Sequence, residues 1–420
     1  MGPRRKHTDD AAADAAGRGE DGVNRDSGQN EPKNTKTEKP IRVMQVVGRM
    51  MGGGVEATVM NHYRHIDRSK VQFDFVIQSD STVVPREEIE SLGGRIFVVP
   101  PYSNPFAYMK ACRQLFEEQK PSIVHSHMNA VSVFTLRAAK QAGVPVRIAH
   151  SHSTANPKER AKTLVKNMLR PFSRVYPTHL AACSKTAARW LFGQRSVDNN
   201  DVRYVNNAID LTEFVYNKNA RQQLRKEIGA GEKTVVLGQV GRLCFQKNQR
   251  FTIDVFAAFH ARYPESLLVL LGDGDEKEYL QSFAKKKNIE QCVLFLGARD
   301  DVASWYSAFD VLMFPSTYEG AGMAAVEAQA EDLSVLASDR VPAEVDIVPG
   351  SIRHVPLSGG VAAWLKYLTR ETIEQPDKGR VSQPELLSAA GYDITQSATE
   401  LTEWYRRLFV TSSVVGGYAW

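Results

Sequence analysis

One stretch predicts the fold of this chain: Asp310-Val-Leu-Met-Phe-Pro-Ser-Thr-Tyr-Glu-Gly-Ala-Gly-Met-Ala-Ala-Val-Glu-Ala-Gln-Ala330. Residues 311–314 are a short apolar run closed by Pro315, which is typical of a buried parallel strand. A glycine-broken loop follows, and residues 323–330 are rich in good helix formers. A strand, a tight loop and a helix in that order place backbone N–H groups and a positive helix end at the carboxyl edge of a sheet, where an α/β protein binds an anionic phosphate.

Two carboxylates bracket this loop. Glu319 stands just before the glycines, and Glu327 follows eight residues later in the predicted helix. If the loop binds a diphosphate, neither acid should touch it, because like charges repel. Each is instead suited to accept hydrogen bonds from sugar hydroxyls on either side of the phosphates. The alternative is an ordinary strand–helix junction with two solvated acids.

Composition limits the class of protein. At 420 residues the chain is long enough for two domains, and 42% hydrophobic with 24% charged residues is typical of a soluble globular protein. The sequence predicts neither a membrane span nor a signal peptide. A net charge of +5 does not indicate nucleic-acid binding but suits an anionic substrate or membrane surface. The four scattered cysteines favour reduced thiols in a cytosolic protein.

The alternation of strands and helices occurs twice, which predicts two similar α/β domains. We expect residues 1–39 to be disordered, because this polar segment cannot bury enough apolar surface to offset its ordering entropy. The first domain is expected at 40–215 and the second at 216–395, with the passage between them in the polar segment 216–233. A C-terminal amphipathic helix within 396–420 is expected to pack back toward the first domain.

Glycines and histidines follow the predicted strands of the first half. Gly53 and Gly54 follow the first strand, where glycine lets the backbone approach a ligand closely, although the dinucleotide pattern G-x-G-x-x-G is absent. Two later strands, at 121–127 and 144–152, each end in His-Ser-His. Because parallel strands share a carboxyl edge, we expect these strands to bring together a functional cluster of His127, His150 and His152. The alternative is that each is an ordinary structural histidine. No carboxylate or cysteine stands at metal-ligand spacing beside them, so no metal site is predicted.

A basic amphipathic helix is predicted over 158–175. Its basic residues are Lys158, Arg160, Lys162, Lys166, Arg170 and Arg174. Such a helix is able to lie on an anionic membrane. The alternative is a surface helix whose apolar side packs on the protein.

Two basic residues follow the first strand of the second half, at 234–240. Gly241 and Arg242 come directly after this strand, and Lys247 lies in the same loop. The Glu319 loop follows a later strand of the same sheet, so both loops should face one cleft. A guanidinium and an ammonium beside a glycine-rich helix start predict a diphosphate site whose positive charge comes from side chains rather than a metal. Ordinary surface charge is the alternative.

Together these motifs resemble the retaining glycosyltransferases of family 4, of the subgroup that builds capsular and extracellular polysaccharides. The resemblance rests on Gly52-Gly-Gly-Val-Glu56, Val124-His-Ser-His127, Asn207-Ala-Ile-Asp210, Gly241-Arg-Leu with Gln246-Lys-Asn248, Gly272-Asp-Gly274, and Glu319 with Glu327-Ala-Gln329. It covers residues 41–409 and implies the GT-B fold, with two Rossmann-like domains separated by a cleft. The acceptor would bind the first domain and the nucleotide-sugar donor the second.

The resemblance also implies roles for single residues. Arg242 and Lys247 would neutralise the donor diphosphate, Glu319 would hold the donor sugar, and Glu327 would bind the ribose hydroxyls. His127 would lie beside the acceptor hydroxyl, with His150 and His152 in the acceptor region. The implied donor-binding set is Gly53, Gly54, Gly241, Arg242, Lys247, Gly320, Ala321, Gly322, Met323 and Glu327. One departure, Glu331-Asp-Leu-Ser334, replaces a small Gly-Leu-Pro-like turn.

The expected activity is therefore metal-independent transfer of a hexosyl group from a UDP- or GDP-linked sugar, with no cofactor besides this co-substrate. The resemblance suggests a sugar or polyprenyl-diphosphate-linked acceptor and a cytoplasmic enzyme held peripherally at the inner face of the plasma membrane. Two alternatives stay open. One is a GT-B sugar-nucleotide epimerase, and the other is a donor-binding subunit that needs a partner for activity.

Overall fold

The computed structural model describes residues 39–154, 160–368 and 379–416. The expected disorder of residues 1–38 and the predicted role of Lys158 lie outside these ranges. Within them, strands and helices alternate around two parallel sheets. The predicted α/β class with two Rossmann-like sheets is therefore confirmed.

The first sheet has seven parallel strands in the order β3-β2-β1-β4-β5-β6-β7. Its strands are β1 (Ile41–Gly48), β2 (Val71–Gln78), β3 (Arg95–Val99), β4 (Ile123–Ser126), β5 (Val146–Ser151), β6 (His179–Ala182) and β7 (Val202–Tyr204). Every residue of β2 is buried, as expected for a parallel strand covered on both faces. The helices of this half are α1 (Gly54–His65), α2 (Arg86–Ser91), α3 (Pro105–Gln119), α4 (Ser132–Gln141), α5 (Arg160–Leu169), α6 (Lys185–Phe192) and α7 (Gln194–Asp198).

The second sheet has six parallel strands in the order β10-β9-β8-β11-β12-β13. They are β8 (Val235–Val240), β9 (Ser266–Leu271), β10 (Val293–Gly297), β11 (Val311–Phe314), β12 (Val335–Ser338) and β13 (Ile352–Val355). The remaining helices are α8 (Lys218–Glu227), α9 (Gln249–His260), α10 (Lys277–Lys286), α11 (Val302–Ala308), α12 (Met323–Ala330), α13 (Gly360–Tyr367), α14 (Pro384–Ala389) and α15 (Ile394–Gly416).

Both sheets share one topological feature that positions the site. The first strand of each sheet pairs with its fourth, β1 with β4 and β8 with β11. The strand order reverses at this pair, and the loops that leave the two strands diverge and open a crevice at the carboxyl edge. The glycine loop and the histidine strand meet there in the first sheet. Gly241 and the Glu319 loop meet there in the second.

The last helix, α15, packs on the first sheet. Leu401, Trp404, Tyr405 and Leu408 belong to the apolar core that lies against β1 and β2. His62 Nε2 of α1 and Ser397 Oγ of α15 are 3.0 Å apart. The end of the chain therefore contributes to the core of the half in which the chain begins.

The polar segment 216–233, where the passage between the domains is expected, contains α8, whose Arg221 and Arg225 donate to the buried carboxylate of Asp310 at 2.5 and 3.2 Å. The predicted basic helix is shorter than expected. α5 ends at Leu169 and a 3₁₀ turn, Arg170–Arg174, follows it, because Pro171 cannot continue an α-helix.

The departure after α12 packs well. Asp332 takes the left-handed position of the turn with a φ of 53°, and Leu333 is fully buried. Ser307 Oγ donates to Glu331 Oε2 at 2.5 Å, and Arg380 donates to the Glu331 carbonyl. Burial raises the pKa of Glu331 to about 7.

None of the helices within the described ranges combines the length and the apolar character that crossing a membrane requires.

Candidate functional site

The β8 and β11 loops are joined at the carboxyl edge of the second sheet. The N–H of Thr317 donates to the carbonyl of Gln246 at 2.8 Å. Gly241 has a φ of 137°, and a Cβ on Gly272 would lie 2.2 Å from the Gly241 carbonyl oxygen. A larger residue than glycine at position 272 would have to displace backbone, so these glycines determine the shape of this edge.

Lys247 and Glu319 lie in these two loops and form an ion pair. Lys247 Nζ is 2.8 Å from Glu319 Oε1, and only 18% and 6% of the two side chains are exposed. Gln246 Nε2 donates to Glu319 Oε2 at 3.4 Å, and the Lys247 ammonium lies 4.9 Å from the centre of the Phe314 ring. The residues expected to bind phosphate and sugar are thus brought together and neutralise each other.

Arg242 is exposed and lies between the two lobes. Its terminal nitrogen is 3.3 Å from the point where a Cβ on Gly53 would lie. The N–H of Gly53 itself donates to Glu56 Oε2 at 2.5 Å, so this predicted phosphate donor already has a partner. Gly54 is the first residue of α1.

The loop before α12 ends in a helix N-terminus. Gly320 and Ala321 precede Gly322, whose φ of 61° lets the chain turn into the helix at Met323. The N–H groups of a first helical turn have no partners within the helix, and the helix dipole adds positive potential there. This end of α12 is suited to bind an anion, as predicted from the strand–loop–helix pattern.

Glu327 is partly buried in the first half of α12 and is held by a tyrosine. Tyr306 of α11 donates to Glu327 Oε2 at 2.5 Å. Burial raises the pKa of Glu327, and the Tyr306 hydrogen bond and the Lys247 charge oppose that rise. The sequence reasoning missed Tyr306, because no local pattern indicates that α11 packs against α12.

Gln329 of the same motif has a structural part. Its Nε2 donates to the carbonyl of Val345 at 2.7 Å, and its Oε1 accepts from the N–H groups of Ile347 and Val348 at 3.0 and 2.9 Å. It therefore ties the segment after β12 to α12.

The first sheet brings together four histidines rather than the three predicted. His127 and His152 directly follow β4 and β5, whereas His150 lies within β5. His125 lies two residues before His127 on the same face of β4, a relation that the period of a strand should have revealed. The four rings are stacked or tilted on one another, with centroids as close as 3.9 Å for His150 and His152. All four are buried.

The ring nitrogens of His127 both have partners. Nδ1 is 2.8 Å from His152 Nε2, and Nε2 is 2.8 Å from Gln45 Oε1. His152 Nδ1, in contrast, is buried and has no hydrogen-bond partner among the described residues. The two ring nitrogens of this cluster that have no partner among the described residues therefore belong to His150 and His152 and not to His127.

Burial keeps these histidines neutral. It lowers the pKa of His152 to about 3 and holds the pKa values of His125, His127 and His150 well below the usual range. The edge of the first sheet is therefore uncharged at neutral pH.

One nitrogen from each of His125, His127 and His150 lies within 4.8 Å of the others. However, His125 Nε2 and His150 Nδ1 are 3.0 Å apart and share a hydrogen bond, and His127 Nε2 is 2.8 Å from Gln45 Oε1. A metal ion at this place would have to break these hydrogen bonds to reach the nitrogens.

The Glu319 loop, which precedes α12, packs directly on the carboxyl edge of the first sheet that carries the four histidines (the histidine edge). A Cβ on Gly320 would lie 2.2 Å from the His152 carbonyl oxygen and 2.9 Å from Ser153 Cα. Ser184 Oγ donates to the Gly320 carbonyl at 3.1 Å. Glu344 of the second lobe accepts from the N–H of Lys185, the first residue of α6, at 2.7 Å. The two predicted halves of the site thus meet at Gly320 and His152.

Two family models match the chain. Residues 52–213 match Glycosyltransferase Family 4, and residues 220–350 match Glycosyl transferases group 1. The first of these regions contains β2 to β7 of the first sheet, and the second contains β8 to β12 of the second sheet.

Similar proteins include EpsF of Bacillus subtilis (strain 168), assigned as a glycosyltransferase. It is 36% identical over 87% of this chain and 96% of its own length. The UDP-Gal:alpha-D-GlcNAc-diphosphoundecaprenol alpha-1,3-galactosyltransferase of Escherichia coli is 24% identical over 72% of this chain and 80% of its own.

Among solved structures, Anabaena HepE in complex with UDP superposes with a TM-score of 0.70. The superposition covers 87% of this chain and 100% of HepE at 19% identity. It extends over both sheets and their helices.

Proposed function

Because this chain belongs to glycosyltransferase family 4, we propose that it transfers a hexosyl group from a UDP-linked sugar to a lipid-diphosphate-linked sugar acceptor. The observation that carries the proposal is the meeting of Lys247, Glu319 and the N-terminus of α12 at the switch point of the second sheet. Its neutral counterpart, the histidine edge, lies against the same loop. The chain is related to enzymes of exopolysaccharide and capsule biosynthesis, and nothing in these relatives favours the epimerase alternative.

The donor diphosphate binds at the positive side of the cleft. Arg242 and Lys247 neutralise it, and the first-turn N–H groups of α12 donate to it. Lys247 then turns from Glu319 to a phosphate oxygen. This exchange frees the Glu319 carboxylate to accept hydrogen bonds from hydroxyls of the donor sugar, so one event prepares both parts of the donor site.

Glu327 binds the ribose. Its Oε2 is held by Tyr306, and the other oxygen is left to accept from ribose hydroxyls. The choice of uridine follows the E. coli relative, whose name gives UDP-Gal, and HepE, which was crystallised with UDP.

His152 is the histidine that contacts a substrate hydroxyl. Its free Nδ1 and its position against Gly320 favour it over His127, which lies behind it and supports it. A pKa of about 3 makes His152 a poor general base, so it orients a hydroxyl instead of removing a proton.

The proton acceptor is then the leaving group. As the bond between the sugar C1 and the phosphate oxygen breaks, the acceptor oxygen bonds to C1 from the same face. The acceptor hydroxyl proton passes to the departing phosphate oxygen. Attack from the leaving-group face retains the anomeric configuration, and the charge on the UDP product is stabilised by Arg242 and Lys247 without a metal.

The lipid acceptor places the enzyme at a membrane surface, and α5 is the contact. Leu164, Val165 and Met168 are 63%, 54% and 67% exposed, and Phe172 in the following turn is 50% exposed. These side chains therefore do not pack on the protein, whereas Leu169 at the end of the same helix packs against the core. Apolar side chains beside Lys166, Arg170 and Arg174 suit the interface of an anionic membrane.

A panel of nucleotide sugars with a polyprenyl-diphosphate-linked sugar as acceptor tests the activity. We expect transfer from a UDP-hexose to the lipid, with UDP released and an α-linked product from an α-linked donor. Epimer formation, or donor binding without transfer, would support one of the two other interpretations. A β-linked product would contradict retention.

Vesicle sedimentation tests the membrane contact. We expect binding to anionic vesicles that weakens as salt screens it, and loss of binding when Leu164, Val165 and Met168 are changed to Ser. Val410→Ser with Val414→Ser is the matched control, because those valines are 59% and 78% exposed on α15. Equal binding by both triple and control variants would contradict a role for α5. Charge reversal at Arg170 is a poorer test, because this guanidinium lies over the Trp190 ring.

A further inference from the structure

The four histidines form one continuous hydrogen-bonded chain with two other residues. Gln45 Nε2 donates to Tyr405 Oη at 3.0 Å, and Tyr405 Oη is 2.7 Å from His125 Nδ1. His125 Nε2 is 3.0 Å from His150 Nδ1. On the other side of Gln45, the chain continues through His127 to His152. All six side chains are buried, and Tyr405 comes from α15 at the far end of the sequence.

The Gln45 amide determines the proton positions in the first arm. Because Tyr405 Oη accepts from Gln45, its own proton goes to His125 Nδ1, which is then the unprotonated nitrogen. His125 therefore carries its proton on Nε2 and donates to His150 Nδ1. His150 in turn carries its proton on Nε2, and this N–H has no partner among the described residues.

The same amide determines the second arm in the opposite sense. Gln45 Oε1 accepts, so His127 carries its proton on Nε2 and its Nδ1 is unprotonated. His152 must donate through Nε2 to that nitrogen. The free Nδ1 of His152 is consequently a lone pair that accepts hydrogen bonds.

We propose that Gln45 and Tyr405 are positioning residues that hold all four histidines as Nε2–H tautomers, so that the chain presents a hydrogen-bond acceptor at His152. The network ends in two unlike groups, a donor at His150 and an acceptor at His152. Reversal of the one Gln45 amide would reverse every link and turn His152 into a donor.

The two ends lie in different surroundings. His150 lines an internal cavity of about 20 Å³ together with His125, His127, Gln45 and Tyr405. That volume has room for about one water molecule, which would satisfy the His150 N–H. His152 does not line this cavity and lies at the junction with Gly320. The acceptor end is therefore the one that belongs to the residue in contact with the second lobe. Its use by a sugar hydroxyl rests on the function proposed above, but the tautomers do not.

Nuclear magnetic resonance of the full chain, labelled with ¹⁵N-histidine, measures the tautomers without any substrate. Two-bond ¹H–¹⁵N spectra at pH 7, assigned through single-histidine variants, should show Nε2–H forms without averaging for His125, His127, His150 and His152. A mixture of tautomers among the four would overturn the proposal. Uniform Nδ1–H forms would overturn the acceptor end at His152.

Gln45→Leu separates a coupled network from four independent imidazoles. Without the amide oxygen, no acceptor holds the proton on His127 Nε2, so His127 and His152 should no longer be pure Nε2–H forms. His125 and His150, still bonded to Tyr405, should stay as Nε2–H forms. Tyr405→Phe is the matched change and should affect only His125 and His150. Unchanged tautomers at His127 and His152 in Gln45→Leu would overturn the proposal. Gln45→Met provides the same test if the leucine variant does not fold.

Kinetics then connect the tautomers to the reaction. Gln45→Leu should lower kcat at least tenfold while the KM for the nucleotide sugar changes less than threefold, because the Lys247 loop is untouched. Tyr405→Phe should lower kcat less. If the tautomers change in Gln45→Leu but kcat does not fall, the proposal that Gln45 sets the tautomers still holds. Only the contact of His152 with the substrate is then contradicted.

Discussion

The two carboxyl edges of this molecule have the same topology and opposite electrostatics. At the second sheet, Lys247 and Glu319 form a charged pair beside an exposed arginine and a helix N-terminus. At the first sheet, buried histidines are kept neutral by lowered pKa values. The difference supports the proposal that the edge of the second sheet binds an anion and that the edge of the first sheet binds an uncharged hydroxyl. The contrast can be tested from both sides.

The largest effect is expected at the charged edge. Lys247→Ala removes one charge from the proposed leaving-group site and should raise the barrier by about 2–4 kcal/mol, a loss in kcat of roughly thirty- to a thousandfold. Because Lys247 is paired with a buried Glu319, we also expect a loss of stability of about 1–3 kcal/mol, in contrast to an exposed cleft lysine.

Lys287→Ala is the control, since Lys287 forms an ion pair with Asp254 at 2.6 Å in the same lobe but away from the cleft. Steady-state kinetics and urea unfolding measure both effects. Adding Glu319→Gln to Lys247→Ala should restore stability without activity. Near-normal turnover of a folded Lys247→Ala protein would remove Lys247 from the site.

The next largest effect is on the pH dependence of the free energy of unfolding, to which the two lobes should contribute in opposite directions. The folded pKa of Glu331 is about 7 against an ordinary 4.5, so the folded state binds this proton more tightly than the unfolded state. Its contribution to stability is full below pH 4.5 and is lost as the pH rises through 7. Glu331→Gln should remove this dependence and raise the free energy of unfolding at pH 8 by on the order of 3 kcal/mol.

The histidine edge should respond in the opposite direction. Folding lowers the pKa of His152 to about 3, so its contribution is present above pH 6.5 and is lost as the pH falls toward 3. Urea unfolding of the wild type and of Glu331→Gln at pH 5, 6.5 and 8 measures the loss of stability at high pH and at low pH. Glu232→Gln, a change at an exposed acid, is the control. A Glu331→Gln curve parallel to that of wild type would contradict the buried ionisation.

A smaller effect is expected where the edges meet. Gly320→Ala would place a Cβ 2.2 Å from the His152 carbonyl oxygen, so the Glu319 loop and the histidine edge must separate. Overpacking of this kind costs about 1–3 kcal/mol, and we expect kcat to fall about tenfold or more with a smaller change in UDP affinity. Gly231→Ala is the control, because its Cβ would meet only Thr234 Oγ1 at 3.7 Å. Equal kinetics in the two variants would show that the contact is not needed for transfer.

The smallest effect is expected from a chelator. Arg242 and Lys247 would supply at the proposed diphosphate site the positive charge that a metal ion supplies in other enzymes. Activity in EDTA should therefore stay within about twofold of that of the untreated enzyme. Complete loss of turnover, restored by Mg²⁺ or Mn²⁺, would show that the two cations are insufficient.

Much of the candidate site at the second sheet could be predicted from the sequence, because the residues that form it are contiguous in the chain. A strand, a glycine loop and a helix start are contiguous at 311–330, and they place Gly322 and Met323 at a helix N-terminus whatever lies around them. Lys247 and Glu319 were recognised separately, each after a strand. Their ion pair was not predicted, because it depends on the β8–β11 pairing and not on either loop alone.

The histidine cluster at the first sheet was harder to predict from the sequence. The family resemblance implies a place beside the acceptor hydroxyl for His127, yet both of its ring nitrogens have partners inside the protein. The ring nitrogens without a partner belong to His152, whose hydrogen bonds lead to Gln45 in β1, and to His150, whose hydrogen bonds lead to Tyr405, 360 residues beyond Gln45. Single-sequence patterns carry no information on contacts over such a separation.

The sequence by itself determined the elements of this protein: two series of parallel strands, the loops at their carboxyl ends, and the types of side chain in those loops. These features follow from local hydrophobic periodicity and from the conformational freedom of glycine. Only the tertiary structure decided which side chains are left open. Hydrogen-bond partners, burial and the resulting pKa values depend on neighbours brought together from distant parts of the chain, as α15 brings Tyr405 to His125 and the second lobe brings Gly320 to His152.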